Sequence, residues 1–130
     1  MKDKMFLSYS YNDSAWVKQF EAALKNEGLN AWSGFNMQVG GDIREEIEST
    51  LRASSTFIIL LSSNSIKNNW VFFEFGAAVA GNKRIIPIVI DDIGNEKLPL
   101  PITRYQFLRE SSPLSAAKMV AKAIKNENGE

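Results

Sequence analysis

Along the chain, short continuous apolar runs alternate with apolar residues at helical spacing. Met5–Ser8 reads as a short buried strand. The stretch SYND that follows offers Asn12, Asp13 or Ser14 as a helix N-cap; Val17, Phe20 and Leu24 then recur at i, i+3 and i+7, and Gly28 supplies a stop. Leu29–Trp32 reads as a second strand. It leads into SGFNMQVGG, a loop freed by Gly34, Gly40 and Gly41. Asp42 with Glu45 then resembles a capping box, opening a helix that turns Ile43, Ile47 and Leu51 to the core. Thr56–Leu61, TFIILL, is apolar throughout, as in a central parallel strand covered on both faces.

The next segment, NNWVFFEFGAAVAG from Asn68 to Gly81, has helical character and is apolar nearly all round, the pattern of a helix enclosed by a core. Glu74 is the one acid in it, and a lone buried carboxylate needs a partner or a task. IIPIVI, Ile85–Ile90, is another strand, in which Pro87 predicts a bulge or an edge position. Residues 91–104 read as loop, and Tyr105–Leu108 as a short fifth strand. From Pro113, Leu114, Ala117, Ala121 and Ile124 share one helical face, while Lys118, Lys122 and Lys125 form a solvated stripe. The tail NENGE, residues 126–130, is expected to fray, leaving residues 1–125 as one domain.

Strand and helix alternating with short connections predict an α/β fold of the flavodoxin-like, doubly wound class, a five-stranded parallel sheet with helices on both faces. In such folds ligands bind beyond the carboxyl ends of the strands, where strand order reverses. That places the site between SYSYND after the first strand and SSNSIKNNW after the third, within reach of Glu74.

Composition narrows the chemistry. The 130 residues hold no His and no Cys, which excludes a Ser-His-Asp triad, a thiolate nucleophile, a thiolate zinc site and an imidazole base. Any catalysis runs on carboxylates, hydroxyls, lysines or main chain, and no metal is expected. Fifteen basic and fifteen acidic residues cancel, so bulk charge draws the chain to neither nucleic acid nor anionic lipid. No apolar run approaches the roughly 18 residues of a membrane span. With no cysteine and no signal-peptide pattern in MKDKMF, the cytoplasm is the expected setting. A receiver's acidic cluster, G-x-G-x-x-G and G-x-x-x-x-G-K-[ST] are missing, and SYSYND lacks the glycine of a flavin phosphate loop.

The motifs that remain resemble one family. MFLSYSYNDSAWV is similar to the first-strand box of Toll/interleukin-1 receptor (TIR) domains, F-[IL]-S-[YH] followed four residues later by Asp, through Phe6, Ser8, Tyr9 and Asp13. LNAWSG and the glycine-bearing loop resemble the family's second strand and mobile loop. TFIILLSSNSIKNNWVFFEFGAAVAGNKRIIPIVID resembles its third strand, W-x-x-x-E helix and fourth strand, in the bacterial form. The likeness covers Lys4 to about Asp91. It departs at Asn68, where many members carry Ser, and at Gly40-Gly41, where receptor adaptors often show Pro-Gly.

The family contains signalling scaffolds and enzymes that cleave NAD with the Glu of W-x-x-x-E, and retention of Trp70 and Glu74 favours the enzymes. The resemblance implies an NAD glycohydrolase or cyclase with Glu74 catalytic, and with Phe6, Tyr9, Ser10, Trp32, Phe35 and Trp70 as substrate-binding residues. NAD is then the substrate and no cofactor is needed. Nicotinamide leaves neutral from a cationic pyridinium, so one carboxylate stabilising the oxocarbenium-like state suffices and no general acid is required. Burial should raise the Glu74 pKa, so hydroxyl donors or a bound cation must help ionise it. The product is ADP-ribose if water attacks, or a cyclic isomer if an adenine nitrogen or ribose hydroxyl does. The resemblance further implies self-association with other TIR domains, including filaments, a role in antiphage defence, and coupling to a sensor domain or a separate effector. The alternatives are a non-catalytic TIR scaffold or host-directed mimic acting by TIR-TIR contact, and a nucleoside-processing enzyme of related fold.

Overall fold

A computed structural model describes residues 5–32 and 49–127 of the protein. Five strands form one sheet in the order β2-β1-β3-β4-β5, every adjacent pair parallel. They are β1 (Met5–Ser8), β2 (Ala31–Trp32), β3 (Thr56–Leu61), β4 (Arg84–Val89) and β5 (Leu108–Arg109). The helices are α1 (Ser14–Asn26), α2 (Asn69–Ala80), the single turn α3 (Leu100–Thr103) and α4 (Pro113–Glu127). This is the expected doubly wound α/β fold, with its order reversing between β1 and β3.

Two apolar clusters sandwich the sheet. On one face Met5, Leu7, Ile58, Leu60 and Ile88 meet Val17, Phe20 and Leu24 of α1 and Ala117, Val120 and Ile124 of α4. On the other, Phe6, Phe57, Ile59, Leu61 and Val89 meet Val71, Phe75 and Ala78 of α2. Alternation along β1 therefore sends Met5 and Leu7 one way and Phe6 the other. Gly28 ends α1 at φ +83°, a conformation for which glycine is suited.

Several expectations are corrected. Pro87 lies at neither a bulge nor an edge: β4 is an interior strand and its pairing with β3 runs without interruption from Thr56↔Arg84 to Leu61↔Val89. The reason is parity. Arg84 and Ile90 donate toward β3, to Ser55 and Leu61, so even-numbered residues face β3 and Pro87 faces the β5 side. There β5 begins pairing only at Ile88, so no ladder bond is lost at Pro87.

α2 is not enclosed all round. Val71, Glu74, Phe75 and Ala78 are buried, but Phe73 is 49% exposed and Gly76, Ala77 and Val79 also face outward, because only one stripe of the helix meets the sheet. In α4, Leu114 is 58% exposed; Ala116 and Ala117 take the first buried positions instead. The fifth strand is Leu108–Arg109 rather than Tyr105–Leu108, and the second is Ala31–Trp32 within the expected Leu29–Trp32. Residues 91–104 are not wholly loop, since Asn95–Lys97 forms a 3-10 turn before α3. The glycine loop, the capping box at Asp42 and the core positions Ile43 and Ile47 lie outside the described residues, whereas Leu51 is buried as expected. Lys118, Lys122 and Lys125 are exposed; Lys125 approaches Glu27 at 3.9 Å. Among the described residues no helix is long and apolar enough to cross a membrane.

Candidate active site

The crevice beyond the carboxyl ends of β1 and β3 is built from short polar loops that hold one another. After β3 the chain turns sharply: the Ser62 amide donates to Ser65 Oγ at 2.8 Å, and the Ser65 hydroxyl donates to the Leu60 carbonyl at 2.7 Å. Across the crevice, Asp13 accepts from the Ser62 hydroxyl at 2.6 Å and from the Asn64 side-chain amide at 3.1 Å. On the β4 side, Asp91 accepts from the Ser63 amide and hydroxyl at 2.8 and 3.1 Å. The expected juxtaposition of SYSYND with SSNSIKNNW is thus present, tied by carboxylates.

α2 leaves this crevice. Asn68 is its N-cap, its side-chain oxygen accepting from the amides of Trp70 at 2.9 Å and Val71 at 3.3 Å. Asparagine and serine cap comparably well, so the departure at Asn68 leaves the start of the helix capped. Trp70, in the first turn, is 39% exposed and stacks on Phe73 with ring centroids 5.3 Å apart.

One turn further, Glu74 projects inward and is only 2% exposed. Its Oε1 accepts a hydrogen bond from the Ser8 hydroxyl at 2.7 Å, while Oε2 is buried without a hydrogen-bond partner among the described residues. Burial pushes the Glu74 carboxyl up to about 7, against the lowering effects of the Ser8 hydrogen bond and then of the Trp70 side chain. Trp70 lies near enough to help the charge, but no bond of proper geometry satisfies Oε2. The result is a carboxylate poised near neutrality, one oxygen held and the other idle, in apolar surroundings where charge acts strongly.

The other expected residues divide. Phe6 is fully enclosed, its ring centroid 5.4 Å from Trp32 and 5.7 Å from Phe57, so it presents no surface to a ligand here. Tyr9 is buried in the cluster on the α1 and α4 face, across the sheet from Glu74. Ser10 is buried and accepts from the Asn12 amide at 3.3 Å, capping the 3-10 turn Tyr11–Asp13. Trp32 is half-buried against the α2-side cluster. Phe35 lies outside the described residues. The pairing of Ser8 with Glu74 was missed; alternation on β1, which puts residues 6 and 8 on one face, was the available signal. The Asp13–Ser62 and Asp91–Ser63 ties carry no local signal.

A family model for the TIR domain matches residues 5–121. The chain belongs to the TIR domain family. Among its relatives, the 2' cyclic ADP-D-ribose synthase AbTIR of Acinetobacter baumannii is 33% identical over 90 residues, 65% of this chain and 34% of that protein. Protein toll of Drosophila melanogaster is 34% identical over 117 residues, 80% of this chain and 11% of that protein. The chain thus spans about a third of AbTIR and about a ninth of Protein toll. Among solved structures, the TIR domain of a Toll-related receptor from Hydra magnipapillata superposes with TM-score 0.71 at 19% identity, over 81% of this chain and 82% of that one, which speaks for the TIR fold alone.

Proposed function

We propose that this TIR domain cleaves the bond between nicotinamide and ribose in NAD, with Glu74 as the catalytic carboxylate. The observation that carries the reading is the Glu74 carboxylate itself, buried beside the end of β1 with Oε2 unpartnered and its pKa near 7. The kinship with a bacterial cyclic ADP-ribose synthase supports it.

In the proposed reaction the electrons of the C–N bond return to the pyridinium nitrogen, and nicotinamide departs neutral. Glu74 stabilises the ribosyl cation left behind. The approaching pyridinium charge also favours the ionised carboxylate, so substrate binding and ionisation reinforce each other. Attack by water, with loss of its proton, gives ADP-ribose; attack by an adenine nitrogen or a ribose hydroxyl gives a cyclic isomer. Because Glu74 is 2% exposed, the groups covering it must move to admit NAD. Trp70, Ser10, Trp32 and Phe35 are the proposed substrate contacts, while Phe6 and Tyr9 act by shaping the strand beneath them. Cytoplasmic antiphage defence, self-association that includes filaments, and coupling to a sensor domain or a separate effector complete the proposal. No nucleic acid or membrane is engaged directly.

Incubating the purified chain with NAD at low and high protein concentration, and following nicotinamide and the ribosyl product by chromatography, tests this. Turnover that disappears in Glu74→Gln is the expected result. The similarity to Protein toll favours a second reading, a scaffold working by TIR-TIR contact, in which wild type releases no nicotinamide even when concentrated.

A further inference from the structure

We propose that Ser8 is the positioning residue of Glu74: its hydroxyl pins Oε1 and thereby leaves Oε2 as the oxygen that meets the ribosyl cation. The proposal rests on the NAD-cleaving reading for its final clause, but the pairing stands on geometry. Ser8 closes β1, an interior strand, and is held in register opposite Ile59 of β3. Alternation turns Phe6 toward α2, and Ser8, two residues on, meets Glu74 on that same face. Both partners are nearly sealed, Ser8 at 1% exposure and Glu74 at 2%. The strand below and the helix above are fixed by packing, so the 2.7 Å contact sets the rotation of the carboxyl group rather than following it.

A serine hydroxyl has a single proton to give. Donated to Oε1, it stabilises the ionised carboxyl and distinguishes two otherwise equivalent oxygens. Oε2, sealed in the same apolar site, has no hydrogen-bond partner among the described residues and keeps its lone pairs for a cation. Removing the hydroxyl would take away the donor that fixes Oε1, leaving only the nearby Trp70 side chain to help the charge. The charged form then becomes harder to reach, and the carboxyl titrates at higher pH.

The test compares wild type with Ser8→Ala and Ser8→Cys in the full chain, each checked for a cooperative melt. Cys keeps the bulk with a weaker donor, so it serves also if the Ala variant fails to fold. The first readout is the carboxyl titration of Glu74 by carbon NMR of glutamate-labelled protein, assigned with Glu74→Gln. The second is the pH profile of NAD cleavage, whose acid limb in kcat/KM reports the free enzyme. Both should move to higher pH in Ser8→Ala and by less in Ser8→Cys, with kcat at the alkaline plateau down about tenfold and KM little changed. Wild type without turnover, combined with a shifted titration, would overturn the enzymatic reading while leaving Ser8 in control of Glu74. A Glu74 titration unmoved by Ser8→Ala would overturn the proposal, whatever the turnover.

Discussion

The Asp13 carboxylate and the Ser62 hydroxyl lie 2.6 Å apart although 49 positions separate them in the chain. Their bond joins the loop after β1 to the loop after β3 and closes the polar end of the crevice. Ser62 is 1% exposed and also receives bonds from the amides of Asn64 and Ser65, so its oxygen organises the whole turn. Replacing Asp13 by Ala leaves this hydroxyl without its acceptor, and should lower stability by about 1–3 kcal/mol in urea unfolding. An unchanged midpoint would mean that solvent replaces Asp13 without loss.

Glu74 makes stability depend on pH in a direction opposite to that of most carboxylates. Its folded pKa is raised to about 7, so between its ordinary value and 7 the folded protein binds the proton that the unfolded chain has released. Stability attributable to this group is therefore fully present at low pH and is lost as pH rises through about 7, a loss of about 3 kcal/mol. Denaturation of wild type and Glu74→Gln at pH 5 and pH 8 should show the Gln variant gaining relative stability at the higher pH. Parallel pH dependence in the two proteins would contradict the raised value.

Asn68 offers a simpler test. Asn68→Ala removes the acceptor for the Trp70 and Val71 amides and should cost about 1 kcal/mol in thermal or chemical unfolding, whereas Asn68→Ser should be nearly neutral. Equal losses in the two variants would mean that asparagine has a role there beyond capping.

Phe73 and Phe75 sit two positions apart on α2 and should behave differently. Phe75 is buried against the sheet and packs edge-on to Tyr105, so Phe75→Ala should destabilise by about 3–5 kcal/mol. Phe73 points outward, and Phe73→Gln should change stability by no more than about 0.5 kcal/mol. Similar losses at both positions, read by urea unfolding, would place the outer face of the helix in the core after all.

These contrasts show which parts of the fold were legible in the sequence. Met5–Ser8 and Thr56–Leu61 form strands at the expected bounds, because interior strands bury both faces and so show as apolar runs, here Met5–Leu7 and Phe57–Leu61, with Ser8 and Thr56 at their ends. The helical segment expected from Asn68 to Gly81 is α2, with those two residues as its caps. The outward face of α2 was not legible: its exposed positions are as apolar as its buried ones, so periodicity could not say which side meets the sheet. β5 was displaced because a two-residue edge strand carries almost no pattern. At the site, Glu74 stood out as an acid among apolar residues, but its partner Ser8 is 66 positions away and only the register of the sheet brings them together. Tyr9 belongs to the first-strand motif yet lies on the far side of the sheet, because a motif fixes residue types while the pleat assigns their faces.

Pro87 also decides where the last strand can dock. Leu108 pairs with Ile88, and Glu110 donates to the Val89 carbonyl. The next bond back along β4 would have to come from the nitrogen of position 87, which carries no hydrogen. A β5 shifted two residues toward the start of β4 would set its Leu108 carbonyl against that nitrogen and give up that one bond. A ring placed in the middle of the sheet thus counts against the neighbouring register of a strand only two residues long, whose own side chains are few.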